Sequence, residues 1–159
     1  MHTARKPISI ATFAALVAFA DCAQAQTTAG YCAELKHVIA LATTEDRFAS
    51  ITGSSREGNF SDTTLTLAGW KDCAVYGPTM YTCESAGART LQDAAQAQAT
   101  IVDRLLRCLA GEWAEIGDLS SPGYVVLHPL KGPVSITLNL DETENKEHVV
   151  RLILFVRNR

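Results

Sequence analysis

The stretch TLQDAAQAQATIVDRLLRCLAGE, residues 90–112, decides the fold, because its ends and its period both spell a helix. Thr90 can cap the N-terminus. Asp93, three residues on, completes a capping-box spacing and sets a negative charge in the first turn, where the helix dipole favours it. Arg104 and Arg107 approach the other end, where the dipole favours cations, and Gly111 can supply a left-handed terminating residue. At about 100° per residue, Leu91, Ala94, Ala95, Ile101, Val102, Leu105, Leu106, Cys108 and Leu109 share one broad arc. Gln92, Asp93, Gln96, Thr100, Asp103, Arg104 and Arg107 fill the opposite side. Gln98 is the exception: it projects into the middle of the apolar arc, where a buried amide needs hydrogen-bond partners. It is expected either to bond a backbone group or reach a helix edge, or to line a groove as part of a partner surface.

Cys108 links this helix to the question of compartment. Arg5 and Lys6 form a positive n-region, residues 8–20 a short apolar run, and Ala23-Gln24-Ala25 an A-x-A cleavage site, so a mature chain beginning at Gln26 is expected. The apolar run is too short to span a bilayer and no stop-transfer segment follows, so no transmembrane segment is expected. Phe19, Ala20 and Asp21 before Cys22 do not resemble a lipobox, so soluble export to the periplasm or beyond is favoured over a lipid anchor at Cys22. Residues 26–159 then form one α+β domain. Of 14 basic and 17 acidic residues, two and one lie in the leader, leaving 12 and 16. That acidic balance argues against nucleic-acid binding.

Cys32, Cys73, Cys83 and Cys108 remain after cleavage, and four cysteines in an oxidising compartment imply two disulfides with three possible pairings. Cys73 and Cys83 flank the turn signal Tyr76-Gly77-Pro78-Thr79 and are centred on Pro78, so in a hairpin they face each other, as do Val75 and Tyr81. By elimination Cys32 bonds Cys108 and staples an N-terminal helix to the central one. No C-x-x-C pair exists to suggest zinc, and no cofactor is expected.

Outward from the helix, Tyr31 to Ala42 reads as a second helix, with Cys32, Leu35, Val38, Ile39 and Ala42 on one face. Phe48 and Ile51 follow in one inward-packed turn. Thr52 to Asn59 (TGSSREGN) has the composition of a solvated loop. From Asp62 the period becomes two: Leu65 and Leu67 alternate with Thr64 and Thr66 as a half-buried strand ended by Gly69, and the cystine hairpin follows. Trp70 is expected to fill core. Beyond Gly111 come strands at 113–119, 124–127, 134–140 and 149–156. The third alternates without exception, which fits one wet face, and the last is apolar at nearly every position, which fits a central strand covered on both sides. The expected fold is α+β, two main helices on an antiparallel sheet in the order α-β-β-β-α-β-β-β-β, with the last four strands as a meander.

Chemistry-bearing residues are sparse. His37 has no second histidine one turn away, so it cannot form an H-E-x-x-H site. His128 and His148 sit at strand ends and could act only with a positioned carboxylate. G-x-S-x-G, P-loop and dinucleotide fingerprints are absent. Asp141, Thr143 and Asn145 match the first oxygen positions of an EF-hand loop, but Lys146 replaces the turn glycine and Leu152 the bidentate Glu, so a solvated hairpin loop is expected. Glu112 and Glu115 beside Trp113 have no spacing that shows them flanking a cleft.

A cysteine near the start, a C-x9-C hairpin at Cys73–Cys83 and a helix ending Cys108-Leu109 with Trp113 four residues later resemble a group of small exported proteobacterial proteins of unassigned function, over Cys32 to Trp113. The element order is also similar to the secretion-chaperone-like α/β fold. The resulting expectation is a non-catalytic exported binding or accessory protein, inhibitor- or immunity-like, whose partner is another exported protein. An exported hydrolase using His128 or His148 and a small-ligand-binding domain are the alternatives.

Overall fold

A computed structural model of the chain describes the backbone of residues 15–157 and the side chains of residues 29–157. The expected leader lies outside that description: Arg5 and Lys6 entirely, Cys22 and Ala23-Gln24-Ala25 in their side chains. The elements are α1 (Ala15–Ala42), β1 (Thr52–Ser55), β2 (Phe60–Thr63), β3 (Lys71–Tyr76), β4 (Met80–Glu84), α2 (Leu91–Cys108), β5 (Trp113–Glu115), β6 (Tyr124–Pro129), β7 (Val134–Glu142) and β8 (His148–Val156). All eight strands form one antiparallel sheet in the order β1-β2-β3-β4-β8-β7-β6-β5. Two meanders, β1–β4 and β5–β8, therefore meet at β4 and β8, and α2 carries the chain from the seam to the far edge.

α2 begins as its sequence dictates. Thr90 Oγ1 accepts the Asp93 N–H at 3.1 Å and donates to the Asp93 carboxylate at 2.7 Å, which anchors the first turn. The helix stops at Cys108, short of the expected Glu112. Leu109 caps it and Gly111, at φ +78°, lets the chain turn towards β5. Ala94, Gln98, Leu105 and Cys108 are buried against the sheet, with Ile101, Val102 and Leu106 partly so. α1 contributes Tyr31, Leu35, Val38 and Ala42. The Arg104 guanidinium lies 3.6 Å over the Tyr31 ring, and burial pushes the Tyr31 phenol up, so the ring meets the cation as a neutral π face. Cys32 bonds Cys108 and Cys73 bonds Cys83, and Val75 pairs with Tyr81, the register centred on Pro78.

Several expectations need correction. The solvated loop at 52–59 is instead largely β1 and its turn, so the order is α-β-β-β-β-α-β-β-β-β with eight strands rather than seven. All four β1 residues are exposed: this edge strand is held by backbone pairing to β2, with no apolar side chain to announce it. The strand expected at Leu65 and Leu67 is absent, because β2 ends at Thr63 and β3 is bulged between Lys71 and Ala74. Residues 64–70 instead fold as an irregular cover over the core. Leu67 is buried, the Tyr81 hydroxyl donates to the Leu65 carbonyl at 2.9 Å, and Glu34 of α1 accepts the Ala68 N–H. Further on, β5 is only three residues long, and a short 3-10 turn at Gly117–Leu119 replaces the rest of the strand expected there.

Both helices pack on the sheet face that carries Ile136, Leu138, Val150, Leu152 and Leu154. Since side chains alternate along a strand, the other face carries Ser135, Thr137, Asn139 and Asp141 of β7 with Val149, Arg151, Ile153 and Phe155 of β8. No helix among the described residues covers it. β8 is central, between β4 and β7, but no helix covers its outer face, where Val149 is buried and Arg151, Ile153 and Phe155 are partly exposed, so the expectation that both of its faces would be covered holds only in part.

Candidate binding trough on the uncovered sheet face

Cross-strand register assembles this face row by row. Phe60 pairs with Tyr76, Tyr76 with Met80, and Met80 with Phe155, giving one apolar row across β2, β3, β4 and β8. Beside it, Ala74 pairs with Thr82, Thr82 with Ile153, Ile153 with Thr137, and Thr137 with Val126. A third row is charged and polar: Glu84 pairs with Arg151, Arg151 with Asn139, and Asn139 with Tyr124. The large side chains stand up and the small ones between them leave depressions.

Two clefts result, and they share walls. The first, of about 340 Å³, runs from Arg56 and Phe60 past Thr82 to Met80 and Ile153. Met80 and Ile153 are also walls of the second, of about 410 Å³, which reaches Tyr124 and Asn139. Tyr124 and Asn139 also border a third, of about 490 Å³, but its other walls include Leu91 and Ala95 of α2 and Leu140, so it opens at the strand end against the helix rather than on the uncovered face. Five strand spacings separate β2 from β6, so the trough is roughly 24 Å long. Phe60 at 38 % exposure and Tyr124 at 40 % are among the most exposed large apolar residues, and each stands on its wall.

The polar groups of this face are under-supplied with partners. Thr82 Oγ1, Ser135 Oγ, Asn139 Oδ1 and Asp141 Oδ2 are buried without a hydrogen bond, whereas buried polar atoms are normally bonded. One cation serves two carboxylates: Arg151 Nη2 donates to Glu84 Oε1 at 2.7 Å, and its Nη1 lies 2.8 Å from Asp141 Oδ2 without a well-directed bond. Arg56 pairs with Asp62 at the far end, and Asp72, held at φ +43° in the β3 bulge, has no ion pair among the described residues. The trough therefore combines an apolar floor with a net acidic edge.

Gln98 is 6 % exposed, and its Nε2 donates to the Leu138 carbonyl of β7 at 2.9 Å, which engages the amide with the covered face of the sheet. His37 is exposed on α1. His128 is half-buried on β6, where burial, and then repulsion from Arg157, hold its imidazole below the usual range. His148 pairs with Glu142 across β7 and β8, but the Glu142 carboxylate accepts from Lys146 Nζ at 2.8 Å. Neither His128 nor His148 bonds a carboxylate among the described residues. Glu112 and Glu115 border different clefts. Lys146 sits at φ +63° where an EF-hand would place glycine, and among the described residues no group of three or more His, Cys, Asp or Glu is gathered for a metal.

Sequence reading overlooked Tyr124, Asn139 and Arg151, which only the register brings together. The available signal was the apolar outer face of β8, written as if something should cover it. No protein-family model, curated protein or solved structure matches the chain.

Proposed function

We propose that this chain is an exported, non-catalytic binding or accessory protein that holds another exported protein in the trough on its uncovered sheet face. One observation carries the reading: Ile153 and Phe155 on the outer side of β8 are apolar and only partly buried, and the chain's own helices leave them uncovered. Partly exposed apolar side chains gathered in one trough suit a surface completed by a partner. The leader at 1–25 and the two disulfides are compatible with an oxidising compartment. Inhibitor- or immunity-like action would follow if the partner is an enzyme or toxin, in keeping with the resemblance to small exported proteobacterial proteins.

The test is site-specific photo-crosslinking in the native cells. A photoreactive residue at Ile153 or Tyr124 should give one discrete adduct, and the same residue at exposed Thr100 on α2 should give none. Equal labelling at both, or none at the trough, sinks the reading.

A second reading, a small apolar ligand, draws on a separate cleft of about 420 Å³ bordered by Ile39, Trp113, Pro129, Leu130 and Val134, a size and lining suited to such ligands. Titration with aliphatic ligands that leaves tryptophan fluorescence unchanged removes it. Among the described residues neither His128 nor His148 bonds a carboxylate, so no observation favours the hydrolase alternative.

A further inference from the structure

We infer that Asn59 is the acceptor of an N-linked glycan, an inference that rests on the export reading above and not on the trough. Glu57-Gly58-Asn59-Phe60-Ser61 contains the Asn-x-Ser acceptor pattern with x other than proline, whereas Asn139, Asn145 and Asn158 have no Ser or Thr two residues on. Such a pattern counts only where a transferase can reach it. Thr52 to Phe60 are exposed without a break, the longest such run among the described residues, and Asn59 stands in the turn between β1 and β2 at the open edge of the sheet. Gly58, at φ +71°, makes that turn, and a Cβ built on it would meet nothing within 4 Å, so the space before the asparagine is empty. The Asn59 carbonyl accepts the Gly77 N–H at 3.1 Å, which holds the backbone in place. Its Nδ2 reaches only the Tyr76 hydroxyl, at 3.5 Å, too far to engage it firmly. The Ser61 hydroxyl, the second element of the pattern, is on a half-buried residue of β2. Glu57, exposed two residues before the acceptor, adds a carboxylate that a cationic transferase pocket can grip. The donor class is an oligosaccharide carried on a lipid diphosphate. Asn59 Nδ2 forms a bond to C1 of the first sugar, and the C1–O bond to the diphosphate breaks. The electron pair of that bond leaves on the lipid diphosphate, and one amide proton passes to a base on the transferase.

The test weighs the tryptic peptide 57–71 of the full chain recovered from the cells that make it. A mass increase by whole sugar residues is expected, removed by the amidase that releases N-glycans and leaves aspartate at position 59. Asn59→Gln and Ser61→Ala should each abolish the increase, and Ser61→Thr, which keeps the hydroxyl, should retain it. Retention in Ser61→Thr also shows that a change at this strand position does not by itself remove the modification. An unmodified peptide overturns the inference. If the same sample begins at Gln26, the export reading still stands; if the leader is retained, both fall. An increase that survives in Asn59→Gln, or one that is lost equally in Ser61→Thr and Ser61→Ala, likewise overturns the assignment to this site.

Discussion

A buried amide on an apolar helix face has two fates, and Gln98 takes the structural one at the level of its nitrogen: Nε2 donates to the Leu138 carbonyl. Gln98→Ala removes that bond and leaves a gap beneath α2, so it is expected to cost about 1–2 kcal/mol in urea unfolding. Partner crosslinking from the trough should be unaffected, because the amide is engaged on the other side of the sheet; unchanged stability would show that the bond contributes nothing. His128 gives a pH dependence of defined sign. Its folded pKa is depressed by burial and by Arg157, so the folded state disfavours the proton that the unfolded chain accepts near pH 6.5. The contribution is present above that value and is lost as pH falls through the window below it. The melting temperature should therefore drop more between pH 7 and pH 5 in the parent chain than in His128→Gln, and equal drops would remove His128 as the cause.

Among the elements, β8 carries the sharpest contrast, since its neighbours in sequence face different worlds. Leu154 is fully buried beneath the helices while Phe155, next to it, is half-exposed in the trough. Leu154→Ala is expected to cost about 2–5 kcal/mol through lost contacts and the cavity left behind. Phe155→Ser should cost much less in stability but weaken partner crosslinking from Tyr124; comparable losses of stability would mean that the outer face is core. Legibility followed the same division between local and non-local forces. α2 and the cystine hairpin could be read because capping, period and turn residues act within a few positions, and the Cys73–Cys83 register followed from Pro78 alone. β1 was invisible because Thr52-Gly53-Ser54-Ser55 has no apolar side chain and is a strand only through pairing with β2. Leu65 and Leu67 alternate but make no strand, since what buries them is packing over the core and the Tyr81 hydroxyl holding the chain in place. The trough could not be read at all. Tyr124, Asn139, Arg151 and Glu84 lie on four strands, and only the join of the two meanders at β4 and β8 sets them in one row.

Across the whole molecule, the helices are arranged on one side: both hold a single sheet from one face, while the trough face buries smaller side chains such as Ala74, Val126, Ser135 and Thr137. The Cys32–Cys108 bond therefore matters beyond its two residues, because it fixes α1 to α2 with a sequence separation of 76 that encloses the entire β1–β4 meander. The Cys73–Cys83 bond, with a separation of 10, only reinforces a hairpin that the sheet already pairs. On the chain-entropy account the first closure is worth roughly 4–5 kcal/mol and the second roughly 3. Replacing both cysteines of each pair by serine should lower the melting temperature in both cases, by about 3–5 °C per kcal/mol for a domain of this size, and more for Cys32 and Cys108. The manner of unfolding should differ as well. Without the long bond, α1 loses its covalent hold on α2, so amides from Tyr31 to Ala42 should exchange with solvent well before those of β7 and β8. Without the short bond, α1 should keep its protection and only β3 and β4 should weaken. Equal losses in both variants, or an α1 that stays protected after Cys32 and Cys108 are replaced, would mean that Tyr31, Leu35 and Val38 hold the helix on the sheet unaided and that the long bond is not what secures the covered face.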